Sequence, residues 1–455
     1  MARLDIAQAP PASLPLRFLH TVPFWGAFAG LMLLLEGEAL LVSRWSPVTV
    51  ALVHVFTLGV LGNAMFGSLL QFLPVAAQSP VRGGPRVGFV LHGLLNLGAL
   101  CLVLGLWWPA LALLRMPAAL LLLAAFAGLA GACLPGLLAR LRGSLLHAGL
   151  ALSIACGLAT AALGALLLTA MAGRIALALP PWTDVHAALG VFGWVLVLVA
   201  SIGRVVMPMF QGTPVAPAPA QSAWLVAAVL LPPTAGLAGV LLQTPWPLRA
   251  SAAALLALAA LGGLWLQARA RKPGTALFLA WRVGLLALLA AALLLPWPGQ
   301  GLRAGALVLG IGLPLLVLGM LMEIAAFLAW VDLQRRCGRG VQLPGVQRLL
   351  PPPRRMQVLR LMLVAAALLL LALLWPAPWL LWLAGLATAL AWLFLAWALR
   401  RLRRGTAAWA AALTESARRE SPAHVPASAH TPSGPAGDER HHPPGPAARR
   451  NRPPR

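Results

Sequence analysis

Runs of about 20 or more apolar residues recur from about Val22 to Arg401, and no other feature restricts the fold of this chain as strongly. A helix needs about 20 residues to cross a hydrocarbon core of about 30 Å. The runs are continuous and rich in Leu and Ala, without the alternation of period two that membrane strands show. Because a segment in lipid must satisfy its own backbone hydrogen bonds, the sequence predicts an all-α polytopic membrane protein with about twelve transmembrane helices.

The predicted helices divide into two halves of six. Residues 211–221 are rich in proline and predict a connection between a half at 22–210 and a half at 222–404. Residues 1–21 form a predicted N-terminal segment, and residues 405–455 are predicted to be a disordered, basic tail rich in Pro and Ala. The twelve predicted helices cover approximately residues 22–42, 48–76, 86–108, 110–139, 145–172, 185–210, 222–243, 248–268, 276–297, 302–331, 357–375 and 378–399.

The position of the positive charge predicts the orientation of the helices. The formal net charge is +24, although only 10% of the residues are charged. Loops of membrane proteins that carry most Lys and Arg lie in the cytoplasm. We therefore expect both termini in the cytoplasm of a bacterial inner membrane, with the lipid bilayer as partner and no nucleic acid. The heavily basic connections contain Arg82, Arg86, Arg140, Arg142, Arg269, Arg271, Lys272, Arg335, Arg336, Arg339, Arg348, Arg354 and Arg355, and the opposite ones hold only single residues such as Arg44, Arg174, Arg249 and Arg303.

Histidines within the predicted membrane region lie only in its first half. At a rise of about 1.5 Å per residue, His54 and His186 both lie in the outer half of the membrane, whereas His92 and His147 lie near the cytoplasmic surface. A haem inside a membrane is held by side chains from two helices at similar depth, with small residues beside them. The pattern predicts His54 and His186 as axial ligands of a haem iron, with His92 and His147 as a second pair.

Each of these histidines has an alternative interpretation. His54 and His186 would also suit polar contacts between helices, and His92 and His147 would also suit the water at the membrane surface. His20 precedes the first predicted helix, which favours an interfacial position over a ligand role.

Three acidic residues of the predicted membrane region are further candidates, because ionisable groups inside helices are costly. Glu36 and Glu38 are candidate proton acceptors, ligands or neighbours of haem propionates; the alternative is an interfacial pair near Arg44. Glu323 lies in the sequence GMLMEIAAF, which suits either a copper or substrate site with methionine or a hydrogen bond between packed helices. No catalytic residue is identified.

Two segments resemble a known family. The segment HVFTLGVLGNAMFGSLLQFLPVAAQSPVRGGPRVGF from His54 resembles the second helix of haem-copper oxidase subunit I, and the segment from His186 to Gly212 resembles the helix with the opposite axial ligand. The twelve-helix plan is similar to the NnrS family, haem- and copper-containing membrane proteins linked to nitric oxide stress. The resemblance implies haem b between His54 and His186, copper as a further metal, and components of a respiratory or denitrification complex as partners.

The same segments depart from the oxidases in ways that argue against oxygen reduction. The chain has no tyrosine, it has too few membrane histidines for a second haem with copper, and Asp184-Val185-His186 stands where the oxidase helix has His-x-His. We expect a role in nitric oxide response, electron transfer or support of a respiratory complex. The alternatives are a secondary transporter of twelve helices and an assembly scaffold without a cofactor.

Overall fold

The computed structural model describes residues 8–142, 144–337 and 341–420, and within them the chain forms helices and no strand. Twelve of these helices are long and apolar enough to cross a membrane, so the prediction of a polytopic all-α membrane protein is confirmed. They are α1 (Ser13–Glu36), α2 (Pro47–Val75), α3 (Gly84–Trp107), α4 (Pro109–Leu138), α5 (Leu145–Met171), α6 (Leu179–Gln211), α7 (Ala218–Leu241), α8 (Trp246–Gln267), α9 (Ala276–Leu294), α10 (Gly301–Cys337), α11 (Pro352–Leu374) and α12 (Pro378–Glu420).

The two ends of the helical region differ from the predicted boundaries. Helix α1 begins at Ser13, so His20 lies inside it and not before it. The early start is physically allowed because Pro15 stands in the first turn, where proline breaks no hydrogen bond, and Arg17 is exposed. Helix α12 continues to Glu420, beyond the predicted start of the tail at residue 405. The rest of the predicted tail, 421–455, lies outside the described residues.

Consecutive helices pack against each other, and α1 also packs along α12, which closes the bundle. Helix α10 is the most buried of the twelve, and it contacts α2. Large apolar side chains such as Leu120, Leu241 and Leu293 point outward. Because their number and size are typical of a lipid-facing surface and not of a water-facing one, the bilayer is the solvent of this outer face.

Three helices contain a π-helical segment close to their N-terminal ends. These segments are Val55–Gly62 in α2, Leu189–Leu196 in α6 and Ala306–Gly312 in α10. A π-helical turn interrupts the α-helical hydrogen-bond pattern and is frequent at functional sites. The candidate histidines lie in α2 and α6, and α10 has the same kind of segment without a histidine, so the feature recurs at every fourth helix. The division into two six-helix halves stays a prediction.

Helices α1 and α12 approach each other through two glycines. A Cβ atom on Gly30 would lie 2.3 Å from the backbone nitrogen of Ala389, and one on Gly385 would lie 2.6 Å from the backbone nitrogen of Leu34. Small residues that let two backbones meet are a common basis of helix association in membranes. This contact joins the first transmembrane helix to the last.

We expect the Gly30→Val substitution to lower the free energy of unfolding by about 1–3 kcal/mol, because the new side chain would force the two backbones apart. Thermal unfolding of the detergent-solubilised protein measures the effect. The matched control is Gly93→Val, since Gly93 also lies in a membrane helix and a Cβ atom there would meet nothing within 4 Å. Equal stability of the two variants would contradict the proposed role of the glycine contact.

Candidate histidine site

His54 stands at the end of the first α-helical part of α2. This part begins at Pro47, and the hydroxyl of the N-cap residue Ser46 accepts a hydrogen bond from the backbone nitrogen of Thr49. Proline at the first helical position and serine at the N-cap both favour a helix start. The π-helical segment begins at Val55, directly after the histidine.

His186 occupies the corresponding place in α6. This helix begins at Leu179, and two prolines in its first turn fix the start. Its π-helical segment begins at Leu189, three residues after the histidine. Both candidate side chains therefore stand about two turns into their helices, one to three residues before a π-helical segment.

The structure brings these two histidines together. The centroids of the His54 and His186 rings lie 6.3 Å apart, and the ring planes are inclined by 31°. His54 Nδ1 bonds to the carbonyl oxygen of Val50 at 2.8 Å, and His186 Nδ1 bonds to the carbonyl oxygen of Thr160 in α5 at 3.1 Å. No hydrogen bond joins the two rings, and neither Nε2 atom bonds to any described residue.

These hydrogen bonds determine which ring nitrogen carries the proton. A carbonyl oxygen only accepts, so Nδ1 of each ring must donate its N–H. In the neutral imidazole the lone pair then lies on Nε2. Metal-ligating histidines commonly show this arrangement, in which one nitrogen is held by a carbonyl and the other faces the metal. Both side chains thus have a free nitrogen in the form that binds metals.

The ring separation is compatible with a shared metal ion. An imidazole nitrogen ligates a metal at about 2.0–2.1 Å. The 6.3 Å between the two ring centroids would therefore allow His54 and His186 to ligate one metal ion. Within the described part of the chain no group of three or more His, Cys, Asp or Glu side chains is placed to hold a metal. The site thus supplies two donors, which suits a metal whose other ligands belong to a prosthetic group.

Glycines beside the site keep α5 close to α6. A Cβ atom on Gly164 would lie 3.0 Å from Cε1 of His186, and one on Gly190 would lie 3.2 Å from the methyl group of Thr160. Any larger residue at these positions would press on the His186 ring or push away the carbonyl of Thr160. The small residues therefore preserve the hydrogen bond that orients His186.

An aromatic cluster joins α2, α4 and α6 further along the bundle. The Phe66 and Phe126 ring centroids lie 5.2 Å apart, and the Trp194 ring lies 5.6 Å from Phe126 and 6.2 Å from Phe66, all in edge-to-face geometry. Such pairs stabilise by about 0.5–1.5 kcal/mol beyond the burial of their area. The cluster holds α2 beside α6.

An ion pair fixes the other end of the site. The guanidinium of Arg44 donates to the two carboxylate oxygens of Asp184 at 2.5 and 3.0 Å, and it stacks on the ring of Trp45 at 3.9 Å. The pair connects the α1–α2 loop to α6 two residues before His186. The alternative prediction pairs Glu36 and Glu38 with Arg44, but the partner of Arg44 is Asp184. Asp184 is an acidic residue two positions before His186 in α6, and Arg44 is a basic residue in the loop before α2. These opposite charges beside the two candidate histidine helices were the sequence signal for the ion pair.

The second predicted pair of histidines bonds elsewhere. His92 Nε2 lies 2.9 Å from the hydroxyl of Thr21 in α1. His147 Nδ1 lies 2.5 Å from the hydroxyl of Ser144, and its Nε2 lies 2.8 Å from the carbonyl oxygen of Ala77. Both nitrogens of His147 are therefore occupied, so metal ligation would require the loss of one bond. His20 Nδ1 bonds to the carbonyl oxygen of Leu16 within α1.

The three predicted acids have separate surroundings. Glu36 ends α1 and accepts a hydrogen bond of 2.6 Å from Nε1 of Trp107, and Glu38 is exposed in the following turn. Glu323 forms an ion pair with Arg355, with only 12% and 5% of the two side chains exposed. The helix-packing interpretation of Glu323 matches this contact between α10 and α11.

No protein-family model matches the chain, and no similar protein is found among curated proteins.

Proposed function

We propose that the chain is a membrane haem protein in which His54 and His186 are the axial ligands of one haem b. The observation that carries the proposal is the pair itself: two histidines from different helices, 6.3 Å apart, each with Nδ1 held by a carbonyl and Nε2 free. Neither ring donates a hydrogen bond to the other, whereas Nδ1 of His186 donates to the carbonyl of Thr160 in α5, which is a polar contact between helices. The resemblance of both helices to haem-binding helices of the oxidases agrees with this assignment.

The proposed haem would supply one-electron chemistry, and the protein would supply its ligands and their orientation. Val50 and Thr160 would hold the imidazoles in the ligating tautomer. Glu36 and Glu38, at the neighbouring end of α1, are the candidate partners for protons near the haem. Two protein ligands on one iron leave no open position for oxygen, so electron transfer is the role that this arrangement favours. Nitric oxide response, as in the NnrS family, is the physiological setting that the resemblance favours.

Copper is the alternative metal for the same two nitrogens, since neutral imidazole also suits copper. Metal analysis of the purified protein separates the two, because a copper site would contain copper at one per chain and no porphyrin.

The proposed location is the inner membrane of a bacterium, with the basic loops and both termini in the cytoplasm. The support is the uneven distribution of arginine between the two sets of loops. In this orientation the His54–His186 pair lies in the periplasmic half of the membrane. A donor or acceptor in a respiratory or denitrification complex would then reach the haem from the periplasmic side.

The test of the proposed cofactor is an optical spectrum of the purified full chain, reduced with dithionite, together with a pyridine haemochromogen assay. We expect a sharp reduced band of the b type at about one haem per chain, since there is one His54–His186 pair. A second haem per chain would indicate that His92 and His147 also bind haem. A colourless, metal-free protein from cells supplied with haem would contradict the proposal and favour the transporter or scaffold alternatives.

A further inference from the structure

A cavity of about 190 Å³ lies between α1, α10 and α12, at the end of the bundle where α1 begins and α10 ends. One water molecule requires about 10–15 Å³, so a cavity of this size has room for a group of several atoms. His54 and His186 do not line it, which makes it distinct from the candidate histidine site. Its polar lining consists of His20, Asp332, Arg336, Arg403 and Thr406.

Two guanidinium groups of this wall have donors to spare. Arg403 is exposed and forms no hydrogen bond or ion pair with any described residue. Arg336 binds Asp332 through Nη2 at 2.8 Å, and its other N–H groups bond to nothing else in the described part of the chain. The planar fork of an arginine matches the oxygens of a phosphate or a carboxylate. With two arginines against one aspartate, the wall carries a net positive charge and favours an anion.

The cavity lies at the depth of lipid head groups. Arg403 follows the start of α12 at Pro378 by 25 residues, which corresponds to about 38 Å along a helix. The hydrocarbon core is about 30 Å thick, and the head groups extend the bilayer to about 40–45 Å. The exposed tryptophans Trp375 and Trp379 mark the opposite membrane surface, as interfacial tryptophans do. A helix that enters there brings Arg403 to the phosphates of the other leaflet.

An exposed apolar surface leads from the cavity toward the membrane core. Phe24 stands one turn after His20 on α1 and is 45% exposed, and the guanidinium of Arg400 lies 5.5 Å from the centre of its ring. Leu393 stands two turns before Arg400 on α12 and is 46% exposed. Residues spaced by four or seven positions share one face of a helix. A molecule whose charged end binds in the cavity can therefore extend apolar chains along α1 and α12.

The charges of the wall also choose among lipids. The ammonium group of a choline head needs a free carboxylate or a cage of aromatic rings. Asp332 is already paired with Arg336, and no aromatic side chain lines the cavity. Basic pockets between membrane helices on the cytoplasmic side bind anionic head groups, and the proposed orientation places this cavity on that side.

We infer that this cavity binds the phosphate of an anionic phospholipid, such as phosphatidylglycerol. Arg403 and Arg336 donate hydrogen bonds to the phosphate oxygens, and the acyl chains lie along Phe24 and Leu393. The inference does not depend on the presence of haem.

The experiment measures the binding of phosphatidylglycerol and of phosphatidylcholine to the purified, delipidated full chain by native mass spectrometry. We expect one tightly bound phosphatidylglycerol per chain, and we expect Arg403→Gln to lower its affinity about 10-fold, because charge-assisted hydrogen bonds are lost. Arg404→Gln is the matched control: it removes the same charge one residue away, from a side chain that does not line the cavity. At about 0.15 M salt, which screens charges beyond about 8 Å, its affinity should change less than about twofold.

A second pair of variants tests the cavity without a change of charge. Ala407 and Ala408 are both exposed on α12, but only Ala407 lines the cavity. We expect Ala407→Trp to abolish phosphatidylglycerol binding and Ala408→Trp to retain it, while all four lipid-free variants unfold at the temperature of the wild type. Equal losses in Arg403→Gln and Arg404→Gln would overturn the inference, since the attraction would then be unspecific. It is also overturned if phosphatidylcholine binds as tightly as phosphatidylglycerol, or if inorganic phosphate binds and the lipid does not.

Discussion

Replacement of either His54 or His186 by alanine is expected to lower the haem content by at least about tenfold, because each substitution removes one axial ligand. The loss of even a supporting side chain around a metal site commonly lowers metal affinity by about 10–100-fold. Pyridine haemochromogen assays on equal amounts of purified, monodisperse protein measure the change. His92→Ala and His147→Ala are the matched controls, since these histidines lie in the same half of the chain and bond to Thr21, Ser144 and Ala77.

Chemical rescue separates ligand loss from misfolding. His186→Gly leaves space for a free imidazole, which would restore the reduced spectrum in the folded variant without any change in the protein. If His54→Ala and His186→Ala keep the full haem content, the axial assignment is wrong. If His92→Ala or His147→Ala lose the haem instead, the ligands belong to the cytoplasmic side.

The second large effect is expected at the ion pair between Glu323 and Arg355. Arg355 also donates from Nε to the carbonyl oxygen of Leu350, and both charged side chains are almost fully buried between α10 and α11. Removal of one partner leaves an isolated charge in an apolar interior. We therefore expect Glu323→Ala to lower the free energy of unfolding by about 3–5 kcal/mol.

Thermal unfolding in detergent measures this loss, and two further variants define its cause. Glu323→Leu combined with Arg355→Met should recover most of the stability, because no unpaired charge remains. Asp332→Ala in the same helix is the matched control: its partner Arg336 is 55% exposed, so the substitution should cost about 0–1 kcal/mol. If Glu323→Ala loses no more stability than Asp332→Ala, the buried-pair argument is contradicted. If Glu323→Ala instead selectively loses transport of a solute, the transporter alternative is favoured.

The pair also explains why Glu323 is a poor candidate for a copper ligand. Its carboxylate is engaged by a guanidinium, and a metal would have to displace that charge. Neighbouring methionines in a sequence such as GMLMEIAAF cannot reveal this, because the partner Arg355 lies 32 residues away on another helix. The predicted copper or substrate role for Glu323 therefore has no support in its contacts.

The helix boundaries illustrate what local sequence could and could not decide. The bilayer requires about 20 apolar residues per helix, so the predicted ends of α2 and α5 agree with the observed ends to within a residue or two. The predicted start of α1 is too late, because Arg17 and the prolines before Val22 resemble a loop although they are compatible with the first turns of a helix. A hydropathy pattern gives the length of an apolar segment, but it does not give the residue at which the helix begins.

The amino-acid sequence by itself determined the class of the protein, the number of its helices and the histidines worth testing, since these depend on the length of apolar segments and on residue identity. Only the tertiary structure decided that the two rings predicted to share a site lie 6.3 Å apart, that Arg44 pairs with Asp184, and that the Gln71 amide has no partner among the described residues. Those facts depend on which helix faces meet, and in lipid that choice rests on small-residue contacts and aromatic packing spread over distant positions.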